Sequence, residues 1–330
     1  MKFLVDNELE NIDDVVLGLF AYWRDKGFPN YDKSQYDVEK ELEKIKNLDD
    51  SKIISGDDIK QTMHGCGYLW TYFPHWIEVA CGNDKSVLEN WNDDEKLKAL
   101  IRKTYRWQQK HGNGIFTVNR LRQNAKVYCS KQSVSNFRPT AAKYLYNTYG
   151  NEGVVWDMCG GYGGRLLGFL ASNCKHYITT EPCTLTYKGL LDMKAAYKYI
   201  DKKVDIFRIG SEDFLPPKNS LDLCFTSPPY FDTEKYSTEP TQSYIRFDTP
   251  ERWLNGYLNQ TIYNCHYGLK SGGTLILNVA NVKTLPTLEK DTVELAKSNG
   301  FELIETKFLI LSSIAGKGIK REPIFVFKKR

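Results

Sequence analysis

The sequence predicts an α/β fold in which a mostly parallel, seven-stranded sheet carries helices on both faces. From about residue 135 onward, short apolar runs alternate with helical patterns, and this alternation is typical of a parallel sheet covered on both sides. The last two apolar runs, 301–311 and 323–328, flank a glycine-containing loop at 316–318 and predict a C-terminal antiparallel hairpin. Residues 1–132 show helical rather than strand periodicity, so we predict a mainly helical N-terminal region before this domain.

The strands follow from the positions of the apolar runs. We expect strands at 154–157, 177–180, 204–209, 221–226 and 274–279 before the closing hairpin. The helices are expected at 165–172, 190–199, 250–268 and 287–299. In the N-terminal region, apolar side chains at helical spacing between Val15 and Trp23 predict an amphipathic helix.

Charge is distributed unevenly, although the net charge is only +4. Residues 1–50 carry 13 acidic and 7 basic side chains, whereas residues 101–150 carry 10 basic side chains and no acidic one. Such a block favours a surface that faces a polyanion, with a solvated basic helix face as the alternative. Aromatic side chains are interleaved with it and either stack on bases or fill a core. The basic residues of its first part are Arg102, Lys103, Arg106, Lys110, Arg120, Arg122, Lys126 and Lys131.

The eight cysteines form no Cys-x-x-Cys pair, and with five scattered histidines they give no zinc-binding spacing. We therefore expect no metal site and a reduced, cytosolic protein. No apolar run approaches the roughly 18–20 residues that cross a bilayer. We expect the protein to be neither secreted nor embedded in a membrane.

A glycine loop follows the first predicted strand and opens the next helix. It begins at Asp157, continues through Cys159 and contains Gly161 and Gly163. Glycine lets a backbone approach a ligand closely because it has no Cβ. The loop resembles the Asp-x-x-x-Gly-x-Gly loop of class I S-adenosylmethionine-dependent methyltransferases, except that Cys159 stands where that family usually has Phe. It does not have the spacing of the dinucleotide fingerprint.

Acidic residues follow the next two predicted strands. Glu181 ends the second strand, where an acid can accept hydrogen bonds from both hydroxyls of a ribose. Glu212 and Asp213 follow the third. The resemblance implies that one of these two contacts the adenine of the cofactor; we leave both open and slightly favour Asp213.

The fourth predicted strand ends in Ser227-Pro228-Pro229-Tyr230. Two prolines cannot continue a sheet, so this segment, which we call the elbow, leaves the sheet at the edge where α/β proteins bind ligands. It resembles the Ser-Pro-Pro-Tyr motif of nucleic-acid amino-methyltransferases, and the Thr-Ser-Pro-Pro-Tyr form is typical of the DNA N4-cytosine group, although some N6-adenine enzymes carry it.

This resemblance implies roles for the elbow as the catalytic segment. Ser227 and the Pro228 carbonyl would accept hydrogen bonds from the target amino group, Pro229 would keep the turn rigid, and Tyr230 would stack on a base flipped out of the duplex. Upstream, the segment 135–140 resembles the part of this family that closes over the methionine end of the cofactor, with Phe137 packing against it and Thr140 or Arg138 meeting its carboxylate.

The resemblance covers residues 133–330 and implies a class I methyltransferase domain of Rossmann-like fold, with S-adenosylmethionine as cofactor and double-stranded DNA as partner. The segment 231–248 after the elbow resembles no target-recognition module. Recognition of DNA would then fall to this segment and to residues 1–132. Two alternatives stay open: methylation of an RNA base or a related transfer on the same fold, and a catalytically silent nucleic-acid-binding protein.

Overall fold

The structure is a computed structural model that describes residues 2–3, 11–112, 114–129, 134–314 and 318–330. The predicted boundary at 132/133, Lys131 of the basic block and most of the loop at 316–318 lie outside these ranges. The chain forms two compact units. The small unit comprises 1–31, 74–135 and 234–236, and the large unit comprises 32–73, 136–233 and 237–330.

Strands and helices of widely differing length follow one another along the chain. The strands are β1 (Lys2–Phe3), β2 (Ile54–Ser55), β3 (Asp58–Lys60), β4 (Ala80–Cys81), β5 (Phe116–Thr117), β6 (Val154–Asp157), β7 (His176–Thr180), β8 (Lys203–Phe207), β9 (Leu221–Thr226), β10 (Glu234–Lys235), β11 (Leu269–Asn278), β12 (Phe301–Ile314) and β13 (Gly318–Lys329). The helices are α1 (Ile12–Lys26), α2 (Val38–Lys46), α3 (Cys66–Leu69), α4 (Val87–Asn92), α5 (Asp94–His111), α6 (Val118–Asn124), α7 (Pro139–Tyr149), α8 (Gly164–Ala171), α9 (Thr184–Ala196), α10 (Ser243–Arg246), α11 (Pro250–Trp253), α12 (Gln260–Gly268) and α13 (Leu288–Ser298). Within the described ranges, no helix is both long and apolar enough to cross a membrane.

The large unit is built on one sheet with the strand order β2-β3-β12-β13-β11-β9-β6-β7-β8. Its strands run parallel except β13, which is antiparallel to both neighbours, and β2, which is antiparallel to β3. The predicted Rossmann-like α/β fold class, with its C-terminal hairpin, is confirmed. The chain runs outward from β6 through β7 to β8 and then returns to β9 on the other side of β6. The carboxyl ends of β6 and β9 therefore form the topological switch point, where such sheets bind ligands.

The prediction of seven strands was wrong, because the described sheet has nine. The additional strands β2 and β3 come from residues 32–73, which the sequence pattern assigned to the helical N-terminal region. β3 pairs with β12, with Leu309 opposite Ile59. Strands of two and three residues are too short to show a periodicity in the sequence. They form because β12 offers an open edge, so they depend on tertiary pairing and not on a local sequence pattern.

Helices cover both faces of the sheet. On one face, Trp156 and Cys224 of the sheet pack in a buried cluster with Trp253 and Ile262 from the helices that follow the elbow. On the other face, Tyr146 of α7 packs its ring against Phe225 at 5.5 Å and Phe169 of α8 at 6.2 Å. Helix α7 begins with Pro139, whose fixed φ suits the first helical position.

The small unit is mostly helical and has an aromatic core. Edge-to-face contacts join Trp23 to Trp91 and Phe28 to Trp76, at 6.2 and 5.8 Å between ring centroids. Part of the basic block at 101–150 stabilises the interior of the small unit. Arg122 is buried and donates a hydrogen bond to the Asn30 carbonyl at 2.9 Å.

Another part of the block faces solvent. Lys103, Arg106 and Lys110 are exposed on α5 at positions i, i+3 and i+7, which places them on one side of the helix. Nearby, the Arg120 guanidinium lies 3.3 Å from the centroid of the Trp107 ring. The basic block is therefore divided between structural arginines and an exposed cationic helix face.

Candidate active site

The glycine loop and the elbow meet at the switch point of the large unit. β6 and β9 are paired neighbours, with Trp156 opposite Cys224. The loop leaves the carboxyl end of β6 and the elbow leaves the carboxyl end of β9, so the two predicted motifs start side by side. Glu181 leaves the end of β7, the neighbour on the other side.

Asp157 joins these segments through one carboxylate, which is only 1% exposed. Its Oδ1 accepts hydrogen bonds from the backbone N–H of Cys159, at 3.2 Å, and from Thr226 Oγ1, at 3.0 Å. Its Oδ2 accepts from Arg165 Nε at 2.8 Å and from the Tyr177 hydroxyl at 2.6 Å. The residue predicted to hold cofactor therefore ties the glycine loop to the end of β9, where the elbow begins.

Arg165 is the buried cation that balances Asp157. Burial lowers the pKa of its guanidinium, but the Asp157 carboxylate, together with Tyr177 and Tyr146, raises this pKa above its ordinary value. The guanidinium also donates to the Cys159 carbonyl. Sequence reasoning missed Arg165, although a signal existed: it is the only charged residue in the otherwise apolar helix α8.

Asn136 clamps the loop from the segment before α7. Its side-chain oxygen accepts from the Gly164 N–H at 3.1 Å, and its amide nitrogen donates to the Tyr162 carbonyl at 2.6 Å. A Cβ at Gly164 would lie 2.0 Å from the Phe137 carbonyl oxygen. Only glycine therefore lets the chain around Asn136 cross the loop this closely. The resemblance pointed to this segment but implied no role for Asn136.

The predicted residues of this crossing segment have different surroundings. The Phe137 ring lies beside the site, 5.3 Å from the Phe225 ring and 5.9 Å from the Arg165 guanidinium. Thr140 is fully buried, and its hydroxyl lies 2.9 Å from that of Thr62. The structure thus brings Phe137 to the glycine loop and gives Thr140 an internal partner.

Glu181 touches the glycine loop directly. Its Oε2 accepts from the Gly161 N–H and its Oε1 from the Cys183 N–H, both at 2.9 Å. Gly161 has φ +53°, and a Cβ at this position would lie 3.7 Å from the Cys159 carbonyl oxygen and 3.8 Å from Arg165 Nη2, which are ordinary contact distances. Gly161 therefore presents bare backbone beside the Glu181 carboxylate. Burial raises the pKa of Glu181 to about 7, against the opposing effect of the two backbone donors.

Cys159 closes the inner side of the loop. Its Sγ lies 3.0 Å from the Tyr257 hydroxyl, which comes from the π-helical turn Leu254–Asn259. Burial raises the pKa of the Cys159 thiol to about 12, so it stays protonated at neutral pH. A protonated thiol is a weak nucleophile, and Cys159 therefore acts here by packing.

The two acids after β8 are distinguished by their surroundings. Glu212 is 7% exposed, and its Oε1 lies 2.5 Å from Arg246 Nη1. Its Oε2 is buried and has no hydrogen-bond partner among the residues that the structure describes. Burial raises the pKa of Glu212. Asp213 is exposed, and both of its carboxylate oxygens accept hydrogen bonds from the Arg246 guanidinium. The distance from Arg246 Nη2 to Asp213 Oδ1 is 3.2 Å.

Hydroxyl contacts hold the elbow. The Ser227 and Tyr230 hydroxyls lie 3.4 Å apart, and the Tyr230 hydroxyl donates to the Asn278 carbonyl at 3.2 Å. Phe231, immediately afterwards, has φ +53°, a strained conformation for a bulky side chain. It is buried, and its ring packs 6.2 Å from that of Trp253, which stabilises this conformation.

Carboxylates that accept hydrogen bonds follow two strands of the sheet, at Glu181 and Glu212. The glycine loop presents bare backbone, and the elbow presents the Ser227 hydroxyl and the carbonyls beside it. These groups suit a nucleoside-containing ligand on one side and an amino group on the other. In the part of the chain that the structure describes, no three His, Cys, Asp or Glu side chains are grouped to hold a metal ion.

The chain matches no family model and no curated protein. Among solved structures, it is similar to the cyclase SpnF, with 12% identity over 58% of this chain and 81% of that one and a TM-score of 0.42. A structure described as a putative RNA methyltransferase from Pyrococcus horikoshii has 15% identity over 58% and 83% of the two chains and a TM-score of 0.38. A SAM-dependent O-methyltransferase from Thermotoga maritima has 11% identity over 59% and 67% and a TM-score of 0.40. With identities and TM-scores this low, the fold assignment rests on the strand order and directions of the sheet.

Proposed function

We propose that the protein transfers a methyl group from S-adenosylmethionine to the exocyclic amino group of a base in DNA, with N4 of cytosine favoured over N6 of adenine. The observation that carries this proposal is the position of Asp157 Oδ1. This one oxygen accepts from Cys159 in the glycine loop and from Thr226, the residue before Ser227. The segment proposed to hold the methyl donor and the segment proposed to hold its acceptor are therefore fixed to the same atom.

The residues at the strand ends fit the cofactor. Each Glu181 oxygen accepts one backbone N–H and keeps a lone pair for a ribose hydroxyl. The unpartnered Oε2 of Glu212 suits the adenine amino group, which is a donor. We therefore assign the adenine contact to Glu212 rather than to the exposed Asp213. When bound, S-adenosylmethionine supplies an electrophilic methyl group, and the transfer breaks its S–C bond, forms an N–C bond and releases one amine proton to water.

The elbow would activate the amine by positioning it. An aromatic exocyclic amine is a poor nucleophile because its lone pair is delocalised into the ring. Hydrogen bonds from its two N–H groups to Ser227 Oγ and the Pro228 carbonyl favour pyramidalisation and direct the lone pair. Proline has no N–H, so this turn presents acceptors without a competing donor at 228 and 229. Tyr230, whose hydroxyl is held by Asn278, would offer its ring to the flipped base.

The exposed face of α5 supports a nucleic acid as substrate. Lys103, Arg106 and Lys110 lie on one side of this helix, where they suit a row of phosphates. Phosphate contacts do not depend on the sugar, so the same face fits RNA, and the test must include both polymers.

Labelled S-adenosylmethionine should be incubated with duplex DNA, single-stranded DNA and RNA, and the digested nucleosides analysed by mass spectrometry. We expect N4-methylcytosine from duplex DNA. Detection of N6-methyladenine would show that adenine is the target base. Methylated nucleosides from RNA would show that RNA is the substrate. Absence of product from every substrate, with no binding of the cofactor in calorimetry, would contradict the proposal and support a silent nucleic-acid-binding protein.

Substitution of the elbow separates chemistry from folding. Ser227→Ala and Tyr230→Ala should each abolish methylation while the Kd for cofactor stays nearly unchanged, because Glu181 and the glycine loop are intact. Ser298→Ala, at an exposed position of α13, is the matched control and should remain active. Loss of methylation and cofactor binding together would indicate misfolding and count against these roles.

A further inference from the structure

The segment 237–247, which we call the strap, follows the elbow and is anchored to the loop that carries Glu181. Glu239 Oε1 accepts from the backbone N–H of Thr184 at 2.9 Å, and Glu239 Oε2 accepts from the Thr184 hydroxyl at 2.8 Å. The Thr241 hydroxyl donates to the Pro182 carbonyl at 3.5 Å. The first half of the strap therefore reaches the carboxyl end of β7.

The second half of the strap is anchored to the loop after β8. Arg246 binds Glu212 and Asp213 through its guanidinium. Trp253 Nε1 donates to Ser243 Oγ at 3.1 Å, which fixes α10 to the helix that follows it. The strap thus extends from the ribose side to the adenine side of the proposed cofactor site.

Gln242 lies between these two anchors. It follows Thr241 directly, and its backbone carbonyl accepts from the Arg246 N–H at 3.0 Å, one helical turn later. The side chain is buried, with 5% of the residue exposed. Its amide Nε2 has no hydrogen-bond partner in the ranges that the structure describes.

The strap and the loop after β8 therefore each contribute one buried polar atom without a described partner: the donor Gln242 Nε2 and the acceptor Glu212 Oε2. A buried polar group without a partner destabilises a protein. These two atoms lie on segments that Arg246 joins at the proposed cofactor site, where a ligand can complete both. The edge of an adenine ring presents an amino donor beside a ring-nitrogen acceptor. The donor Gln242 Nε2 and the acceptor Glu212 Oε2 are complementary in type to that pair.

We propose that Gln242 donates to a ring nitrogen of the adenine of bound cofactor, while Glu212 Oε2 accepts from its amino group. This rests on the proposed function, from which it takes the cofactor. Gln242 binds and orients the cofactor and takes no part in the chemistry. The strap then serves as the adenine-recognition segment, which explains why it is anchored at both strand ends.

The first test measures binding of S-adenosylhomocysteine by calorimetry. Gln242→Met keeps the length of the side chain but removes the donor, and we expect about tenfold weaker binding, as for one lost hydrogen bond. The melting temperature of the cofactor-free variant should equal or exceed that of the wild type, because a buried donor without a partner has been removed. Thr238→Ala, exposed on the same strap, should change neither quantity.

The second test needs no variant. Analogues of S-adenosylhomocysteine with 1-deazaadenine or 7-deazaadenine lack one ring nitrogen each. One of them should bind the wild type about tenfold more weakly than the parent, and this penalty should disappear in Gln242→Met. Undiminished binding of both analogues, or a penalty that persists in the variant, overturns the inference.

The two proposals fail in different ways. Suppose that the wild type binds S-adenosylhomocysteine and methylates, but binds both analogues with the affinity of the parent. This result would contradict only the role of Gln242. If the wild type binds neither S-adenosylmethionine nor S-adenosylhomocysteine, the proposed function is contradicted, and so is the role of Gln242.

Discussion

The glycine loop and the elbow lie side by side but are made rigid in different ways. The loop is held by side chains from separate segments, above all Asn136, Arg165 and Glu181. The elbow takes its shape from two consecutive prolines and from the hydroxyl of Tyr230. The shape of the loop is therefore a property of the tertiary structure, whereas that of the elbow is largely local. Substitutions around the loop should reduce stability, and substitutions in the elbow should reduce activity first.

The largest effect is expected at Arg165. Arg165→Met removes the cation beside a carboxylate that is almost completely buried. Because breaking a buried ion pair leaves an uncompensated charge, the free energy of unfolding should fall by about 3–5 kcal/mol. Urea denaturation measures this change.

The control is an exposed ion pair of the same unit. Lys290 and Glu294 lie 3.7 Å apart on α13, and both are largely exposed. Lys290→Met should change the free energy of unfolding by less than about 0.5 kcal/mol. Similar losses in the two variants would remove the distinction between a buried anchor and a surface pair.

The second effect depends on pH and concerns Glu181. Burial raises the pKa of this carboxyl to about 7 in the folded protein, above its ordinary value of 4.5. Between these values the folded state binds more protons than the unfolded state, so this group makes stability fall as pH rises from about 4.5 to about 7. Relative to Glu181→Gln, the wild type should lose up to about 3 kcal/mol across this window.

Urea denaturation at several pH values from 4.5 to 8 measures this difference. Glu251→Gln, at an exposed position, controls for the substitution itself. Parallel stability profiles for wild type and Glu181→Gln would show that Glu181 does not carry the buried proton.

The third prediction compares two glycines of the loop. A Cβ at Gly164 would collide with the Phe137 carbonyl, whereas the nearest atom to a Cβ at Gly161 is 3.7 Å away. Gly164→Ala should therefore lower the free energy of unfolding by about 1–3 kcal/mol, as overpacking does. Gly161→Ala should cost only about 1 kcal/mol, through its positive φ. The reverse order in thermal or urea denaturation would mean that Asn136 and Phe137 do not clamp the loop.

The smallest effect on stability is expected in the elbow. Pro229→Ala should lower the free energy of unfolding by about 0.4–1 kcal/mol, mainly because the unfolded chain gains freedom. Methyl transfer should fall by a larger factor, since the turn that positions the amine becomes softer. A loss of stability as large as that of Arg165→Met would contradict the local rigidity of the elbow.

The sequence was sufficient for features that are encoded locally. β9 and β6 are apolar runs that stop at a loop, so 221–226 and 154–157 were predicted with the bounds that these strands have. The glycine loop and the double proline are recognisable by residue type alone. Glu181 could be placed because the acid directly follows a strand, and it does lie against Gly161.

Partners that are distant in the chain could not be predicted. Tyr177 and Thr226 reach Asp157 because β7 and β9 flank β6, and this neighbour relation is set by the fold rather than by any motif. The same holds for Gln242, whose segment has no periodicity and is ordered by its anchors. Glu212 and Asp213 are adjacent acids, and what distinguishes their roles is burial, which depends on packing.

The pairing of β3 with β12 has a consequence for work with shortened chains. A protein begun at residue 134 would contain every predicted catalytic residue, yet it would lack Ile59, which lies opposite Leu309. Residues 308–310 would then become a bare sheet edge, a template for pairing with other molecules. Such a chain should aggregate on expression, whereas a chain that keeps residues 54–60 retains β3 on this edge. A shortened chain must therefore include the segment that shields β12, which the sequence motifs alone would leave out.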